Sequence, residues 1–503
     1  MTDKRKKNWL RLRSYLHFSK RFDSSQDKRK ASKYFINNYV KNEDNICKHS
    51  FSPLLHYKVR ESRFRRPYND YHTAKIQYRE YDKKDRPIYF CNHLDAQVFA
   101  FYANKLSDAL EKEYEKDNFL NQSIIGYRRI PYNQNRGKST IDFAKEVFKY
   151  IKDSVDTNIV VACLDIKSFF DNLSHKNLKT SWYNLTNPDK NTLKKDDYKV
   201  FKAITKAHFI DLEEILPLLP SFDIKNKNYI RKSKKDRLIY HFSELRQIIS
   251  EHPYIIKKYN CTSPKIGIPQ GTPISATLSN LYFLEADKKI CNLIYPINGI
   301  YRRYSDDILI VCKREHWDSV YDALNNTIRD LALEINKKKN QITYFNRTNI
   351  TSDWQIEYFQ NGYKLEKNLS YLGFTFDGKN IKIKNSSLSK YYRSVKRLIR
   401  RSVHFAKQRK FFNEKNQASK DEWIYKRRIY KSKSYLGAKR RRTNVMYWGN
   451  FITYVKNVSN IMEDKTILKQ VKNHWRIIND SIKMYEEKYD LKRQSTSPKN
   501  KSQ

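Results

Sequence analysis

Two adjacent carboxylates stand in the middle of an apolar, β-prone stretch that reads Ile300-Tyr301-Arg302-Arg303-Tyr304-Ser305-Asp306-Asp307-Ile308-Leu309-Ile310-Val311. The flanking runs predict two strands joined by a tight Ser-Asp-Asp turn. Neighbouring carboxylates repel, so the turn gains little from them unless a cation is shared. Hard divalent cations suit such a pair, because Mg²⁺ prefers carboxylate and phosphate oxygens together. The chemistry implied is phosphoryl transfer of the kind that extends a nucleic-acid strand. Taken alone, the same residues also fit an acidic hairpin tip on a basic protein.

A third carboxylate lies upstream. The run Asn158-Ile159-Val160-Val161-Ala162-Cys163-Leu164 predicts a buried strand that delivers Asp165 at its C-terminal end, followed by Ile166-Lys167-Ser168-Phe169-Phe170-Asp171. Beside an acidic hairpin, Asp165 would complete the ligand set of a two-metal site. It would equally serve to cap a following helix. Between these segments lies Gly267-Ile268-Pro269-Gln270-Gly271-Thr272-Pro273-Ile274-Ser275. Pro and Gly around Gln270 predict an irregular turn before a helix, able to hold an amide beside a bound nucleotide. An ordinary loop with a helix cap is the plain alternative.

The elements that must position these groups follow from periodicity. Leu94, Val98, Phe99, Tyr102, Leu106 and Leu110 form a helical stripe over 94–116. Further helices are expected at 142–151, 197–206, 243–249, along 269–287 after its loop, and at 316–333. Strands are expected at 341–345 and 370–384. Residues 71–90 alternate and predict a hairpin with Asp82-Lys83-Lys84-Asp85 at its tip. The order helix, strand-Asp, helix, hairpin-Asp-Asp, helix, strand makes an α+β unit.

Composition sets the partner class. Lys plus Arg number 101 against 54 Asp plus Glu, a formal charge of +47 over 503 residues. Such a chain is expected to hold a polyanion, and 38 Tyr with 26 Phe add stacking surfaces for bases. No apolar run is long enough to span a membrane, and the N-terminus lacks the apolar core of a signal peptide, so no membrane partner and a cytoplasmic location are expected. The six cysteines stand outside Cys-x-x-Cys pairs, which argues for reduced thiols. Cys47-Lys48-His49 and Cys91-Asn92-His93 could form a zinc site only by meeting in space. Gly137-Lys138-Ser139 lacks the glycine a P-loop needs five residues before its Gly-Lys pair, where Tyr132 stands.

Asp-Ile-Lys-Ser-Phe-Phe-Asp at 165–171, Ile-Pro-Gln-Gly-Thr-Pro-Ile-Ser at 268–275 and Tyr-Ser-Asp-Asp at 304–307 resemble reverse transcriptase motifs A, B and C, in that order. Leu333-Glu334-Ile335-Asn336-Lys337-Lys338-Lys339 resembles motif D, Tyr371-Leu372-Gly373-Phe374 the primer grip, and Lys83-Lys84-Asp85-Arg86-Pro87-Ile88 the fingers hairpin. The resemblance covers about 75–380. It implies a right-hand polymerase fold, fingers and palm, with an α-helical basic thumb. It implies that Asp165, Asp306 and Asp307 are catalytic and bind two Mg²⁺, which Mn²⁺ can replace. It implies that Lys83, Lys84, Arg86, Phe170, Gln270 and Lys339 meet the deoxynucleotide triphosphate, with Phe170 as a steric gate against the ribose 2′-hydroxyl. Tyr371, Leu372 and Gly373 would grip the primer. Ser305 replaces the commoner Ala, and Ala276 stands where Pro is frequent in motif B; neither bears on metal binding.

The segment Ile125-Gly126-Tyr127-Arg128-Arg129, the insertion at 182–260 and the basic helical C-terminus are similar to bacterial unknown-group reverse transcriptases, which include defence-associated and abortive-infection enzymes. That likeness implies antiphage function, a noncoding RNA as template or scaffold, a cDNA product and a bacterial cytoplasmic location; a homo-oligomer is compatible with it. The expected division is 1–70 basic extension, 71–158 fingers, 159–380 palm with the insertion, 381–490 basic thumb and C-terminal domain, and 491–503 disordered tail. Between 381 and 450 there are 22 Lys or Arg against 3 acids. Arg397, Arg400, Arg401, Arg427, Arg428, Arg440, Arg441 and Arg442 are therefore expected on nucleic-acid phosphates. Two other readings remain: an RNA-binding effector that uses the polymerase fold as a scaffold, and template-poor synthesis primed from a tyrosine such as Tyr485 or Tyr489.

Overall fold

The computed structural model describes residues 9–22, 26–65, 80–133, 136–219, 237–239, 241–260, 263, 265–416, 423–437, 441–442 and 447–491, with the backbone alone at 26–27, 61–65, 80–84, 441–442 and 447–448. Helices and strands are mixed along the chain, an α+β fold. It divides into two compact units: Met1–Arg128 with Ala162–Gln341 and Gln360–Leu365, and Arg129–Val161 with Ile342–Phe359 and Glu366–Gln503.

In the first unit the expected stripe forms the helix His93–Glu115, which buries Val98, Phe99, Tyr102, Leu106 and Leu110. Asn92 caps it, its side chain accepting from the His93 amide at 2.6 Å. The motif-B helix Ser275–Ile294 is buried on most of its circumference, as expected for a core helix rather than a surface one. The hairpin Ile300–Tyr304 and Asp307–Lys313 forms in the register Arg303↔Ile308 and Tyr304↔Asp307. Asp307–Lys313 lies between Ile300–Tyr304 and the strand that ends at Asp165.

One expectation is corrected. Asp82-Lys83-Lys84-Asp85 is not a hairpin tip but lies within the strand Glu80–Phe90. Its antiparallel partner is Leu54–Arg65, with Ser62↔Lys83 and Arg60↔Asp85 opposed. The stretch read as an N-terminal extension thus supplies a sheet strand. Leu54–Arg65 pairs in turn with His208–Asp211 in parallel, and that strand with Ile256–Lys258. The insertion thus contributes two strands to this sheet. Leu16, Phe18, Leu55, Ile210, Ile215, Leu245 and Ile255 form one apolar core beneath it.

The second unit opens with Thr140–Asp153, capped reciprocally by Ser139 and Asp142. Leu369–Tyr371, Phe374–Phe376 and Ile381–Ile383 make a three-stranded antiparallel sheet. Leu372 (φ 44°) and Gly373 (φ 93°) turn its first hairpin, as a two-residue turn with positive φ requires. The 32-residue helix Asn385–Asn416 follows, burying Tyr391, Val395, Ile399, Val403 and Ala406 on one face.

Candidate active site

The strand Asn158–Asp165 ends where the hairpin turns. The Ile166 amide donates to the Asp306 carbonyl at 3.1 Å, which stitches the residue after Asp165 to the turn. On the other side the motif-D segment runs alongside. The Lys167 amide donates to the Glu334 carbonyl at 2.9 Å, and the Asn336 amide to the Asp165 carbonyl at 2.7 Å. Side chains repeat the pattern: Asn336 Nδ2 donates to Asp165 Oδ2 at 3.0 Å, and Lys339 Nζ to Asp165 Oδ1 and Oδ2 at 2.8 and 2.6 Å. Asp165 is therefore held by motif D, and no helix-capping bond accounts for it.

Burial, and then the charge of Asp165, push the Asp306 carboxyl above the usual aspartate range; Lys339 opposes this. Asp165 carries one lysine and Asp306 feels the charge of both, so the pair is short of positive charge, and carboxylate oxygens fit a hard divalent cation. Asp307 begins the second strand and is exposed. Among the described residues no group of three His, Cys, Asp or Glu side chains converges as a metal cluster.

Beneath the turn is a buried network that the motifs do not announce. Arg303 Nε and Nη2 donate to Asp287 Oδ1 and Oδ2 at 2.8 and 2.6 Å, and both side chains are 0% exposed. Tyr301 Oη donates to Asp287 Oδ1 at 2.7 Å. Arg303 Nη1 reaches the Asn280 side chain and the Ser305 carbonyl, each at 3.2 Å. Burial works against the guanidinium charge, but Asp287 outweighs it and raises the pKa above the ordinary arginine value. Arg303 inside the β-prone run 300–311 was the available sequence signal, since buried charges are paired; Asp287, among Glu285, Lys288 and Lys289, gave none. Ser305 sits at φ 61°, so this network supports a turn that is strained for a residue with a side chain.

The segments that carry Phe170 and Gln270 are tied together by backbone. The Ile268 amide donates to the Phe170 carbonyl at 2.8 Å, and the Tyr89 amide to the Gln270 carbonyl at 2.9 Å. Gly271, at φ 113°, lies so close to Tyr89 that an added Cβ would sit 2.6 Å from its carbonyl oxygen. Tyr259 Oη bridges Asp171 Oδ1 at 2.8 Å and the Ile268 carbonyl at 2.9 Å, another positioning group missed in the sequence. Phe170 and Gln270 are half-buried, and Arg86 is exposed on its strand. The side chains of Lys83 and Lys84 lie outside the described residues.

In the second unit, Tyr371 is buried and pairs with Phe374 across the hairpin. Arg397, Arg400, Arg401, Arg427 and Arg428 are exposed on their helices. Arg440 and the side chains of Arg441 and Arg442 lie outside the described residues. Tyr430 and Tyr435 both pack on Trp475, so these rings are engaged with one another. Tyr485 accepts from Arg400 Nε at 3.2 Å and stacks on Tyr489.

Residues 208–376 match the family described as reverse transcriptase (RNA-dependent DNA polymerase). The chain carries a reverse transcriptase domain. The match is about a third of the chain and includes Gln270, Asp306, Asp307, Lys339 and Tyr371–Gly373; Asp165 and Phe170 precede it. The chain's fold is α+β, and the acidic hairpin lies beside the strand that ends at Asp165. Solved structures with which it shares similarity include apo telomerase from Candida tropicalis truncated from its C-terminal domain, at 12% identity over 71% of this chain and 59% of that chain, TM-score 0.36. Telomerase from Candida albicans in complex with a fragment of telomeric RNA matches at 12% identity over 92% and 66%, TM-score 0.37. The chain thus spans about three fifths to two thirds of these telomerase chains. No curated protein sequence matches it. Among the described residues no helix is long and apolar enough to cross a membrane.

Proposed function

We propose that the protein is an RNA-directed DNA polymerase of bacterial antiphage defence that copies an associated noncoding RNA into cDNA. The observation that carries the polymerase reading is the stitching of Asp165 to the Asp306 turn, with Lys339 on the same carboxylate. Asp165, Asp306 and Asp307 would hold Mg²⁺, which when bound neutralises phosphate charge and acidifies a primer 3′-hydroxyl. The chain's own residues do the rest. Phe170, fixed against the motif-B loop, excludes a 2′-hydroxyl, and Gln270 lies beside the incoming nucleotide. Arg86, with Lys83 and Lys84, neutralises its triphosphate. Lys339 holds Asp165 and stands ready to meet the leaving pyrophosphate as a cation. Tyr371, Leu372 and Gly373 seat the primer, and the basic thumb tracks phosphates without reading sequence.

The defence reading rests on the insertion at 182–260 and the basic helical C-terminus. It is tested by sequencing RNA and DNA bound to wild type and to Asp306→Asn purified from cells under phage challenge. One RNA common to both, with complementary DNA only on the wild type and phage resistance lost in the variant, is expected. Full resistance in Asp306→Asn cells would favour an RNA-binding effector on a polymerase scaffold. DNA that stays on the protein after denaturation would instead indicate priming from a tyrosine.

A further inference from the structure

Tyr127 is held in a conformation that costs the chain energy. Its φ is 61°, a region that residues with side chains rarely adopt. Both neighbours pin it there. On one side, the Ile125 and Gly126 amides donate to the Arg303 carbonyl at 3.0 and 3.2 Å, and Asn280 Nδ2 donates to the Gly126 carbonyl at 2.9 Å. Gly126 presses on the catalytic hairpin itself: an added Cβ would lie 2.7 Å from the Ser305 amide nitrogen. On the other side, Arg128 donates from Nε and Nη2 to both Glu111 oxygens at 2.9 and 2.6 Å and from Nη1 to the Asn121 and Ile124 carbonyls at 2.8 and 2.9 Å. Strain so over-determined points to a use for the side chain it displays.

That side chain is not core. Tyr127 is 42% exposed, and its ring lies 5.7 Å from that of Tyr304, tilted by 49°. Burial, and then the nearby Asp306, Tyr304 and Asp307, raise its phenol pKa, while a hydrogen bond from Ser305 opposes this. The ring thus lies beside Tyr304, the residue that enters the acidic turn. Across the sheet, the Asp165 strand lies on one side of Asp307–Lys313 and the Tyr304 strand on the other, with Ile124 bridged to Arg303 at the far edge. The groups assigned to the incoming nucleotide, Phe170 and Gln270, belong to the segment after Asp165 and to the motif-B loop. Tyr304 ends the strand on the far side of Asp307–Lys313 from the Asp165 strand, with Tyr127 beside it. A primer terminus brought to the acidic turn from that side would meet both rings.

The geometry points to Tyr127 as an aromatic contact for the primer's 3′-terminal nucleotide, its ring beside that of Tyr304 and holding the terminus over the carboxylates. This rests on the polymerase reading. Tyr127→Gly removes the ring and relieves the backbone, so structural and binding roles separate. The test uses the full-length protein, an RNA template and a DNA primer with 2-aminopurine at its 3′ end.

The expected result is a KM for primer–template raised about tenfold in Tyr127→Gly, as loss of one stacked base implies, with the melting temperature not lowered. Nucleotide KM stays within about twofold under the same reasoning. Tyr127→Phe keeps primer affinity and the quenched 2-aminopurine signal; Tyr127→Asn, which tolerates the left-handed conformation, behaves like the glycine variant. Unchanged primer–template KM and unchanged quenching in Tyr127→Gly, with wild type extending normally, overturn the inference and leave the polymerase reading standing. A shift confined to nucleotide KM overturns it as well. Failure of wild type to extend any primer overturns both.

Discussion

Lys339 Nζ lies 2.6 Å from Asp165 Oδ2 and 2.8 Å from Oδ1, so the motif-D lysine occupies the carboxylate expected to bind metal. The ammonium and a divalent cation compete for the same oxygens. In Lys339→Met the Mg²⁺ concentration for half-maximal incorporation falls, while the maximal rate drops by about tenfold or more, since a cation near the developing pyrophosphate charge is lost. A Mg²⁺ titration of single-turnover extension checks both directions.

The Arg303–Asp287 pair is fully buried, so breaking it strands a charge. Arg303→Leu is expected to destabilise the fold by about 3–5 kcal/mol. The double variant Arg303→Leu, Asp287→Leu recovers part of that loss, because neither charge is left unpaired. Urea unfolding measures the stability. Extension assays then show whether the double variant, lacking the bond to the Ser305 carbonyl, still aligns Asp306; reduced kcat at restored stability is expected.

Close backbone approach makes two glycines sensitive. Gly126→Ala would drive a Cβ to 2.7 Å from the Ser305 amide, and Gly271→Ala to 2.6 Å from the Tyr89 carbonyl. Gly271→Ala carries the added strain of φ 113°. Gly126→Ala is expected to lower kcat by displacing the turn, and Gly271→Ala to raise nucleotide KM by displacing Gln270. Steady-state kinetics separates the two.

Two buried histidines set a pH dependence. Burial lowers His17 to about 3 and His93 to about 4. A depressed histidine pKa gives stability that is present above the unfolded value and lost as pH falls toward the folded value. For His93 the loss on going from neutral pH to pH 5 is about 2 kcal/mol. Wild type should therefore melt at lower temperature at pH 5 than at pH 7, and His93→Phe should show a smaller difference. Calorimetry across that interval is the check.

Much of the site was legible because its chemistry is local in sequence. Asp306 and Asp307 announce themselves by standing in an apolar run, and Asp165 by ending one. The helix 94–116 was legible from its stripe. What escaped was long-range. Glu80–Phe90 finds its partner in Leu54–Arg65, and that strand its other neighbour in His208–Asp211, pairings no local alternation specifies. Tyr259 and Asp287 were missed because each acts on a segment far along the chain, Asp171 and Arg303 respectively.

The central claim is that Asp165 and Asp306 form one metal-dependent centre for RNA-templated DNA synthesis. The most direct measurement is incorporation of deoxynucleotides on an RNA template with a DNA primer, comparing wild type and Asp306→Asn at matched RNA binding. The expected result is Mg²⁺-dependent extension by wild type, abolished by EDTA, and no extension by a variant that still binds RNA and melts normally. Equal DNA yield from Asp306→Asn would contradict the account.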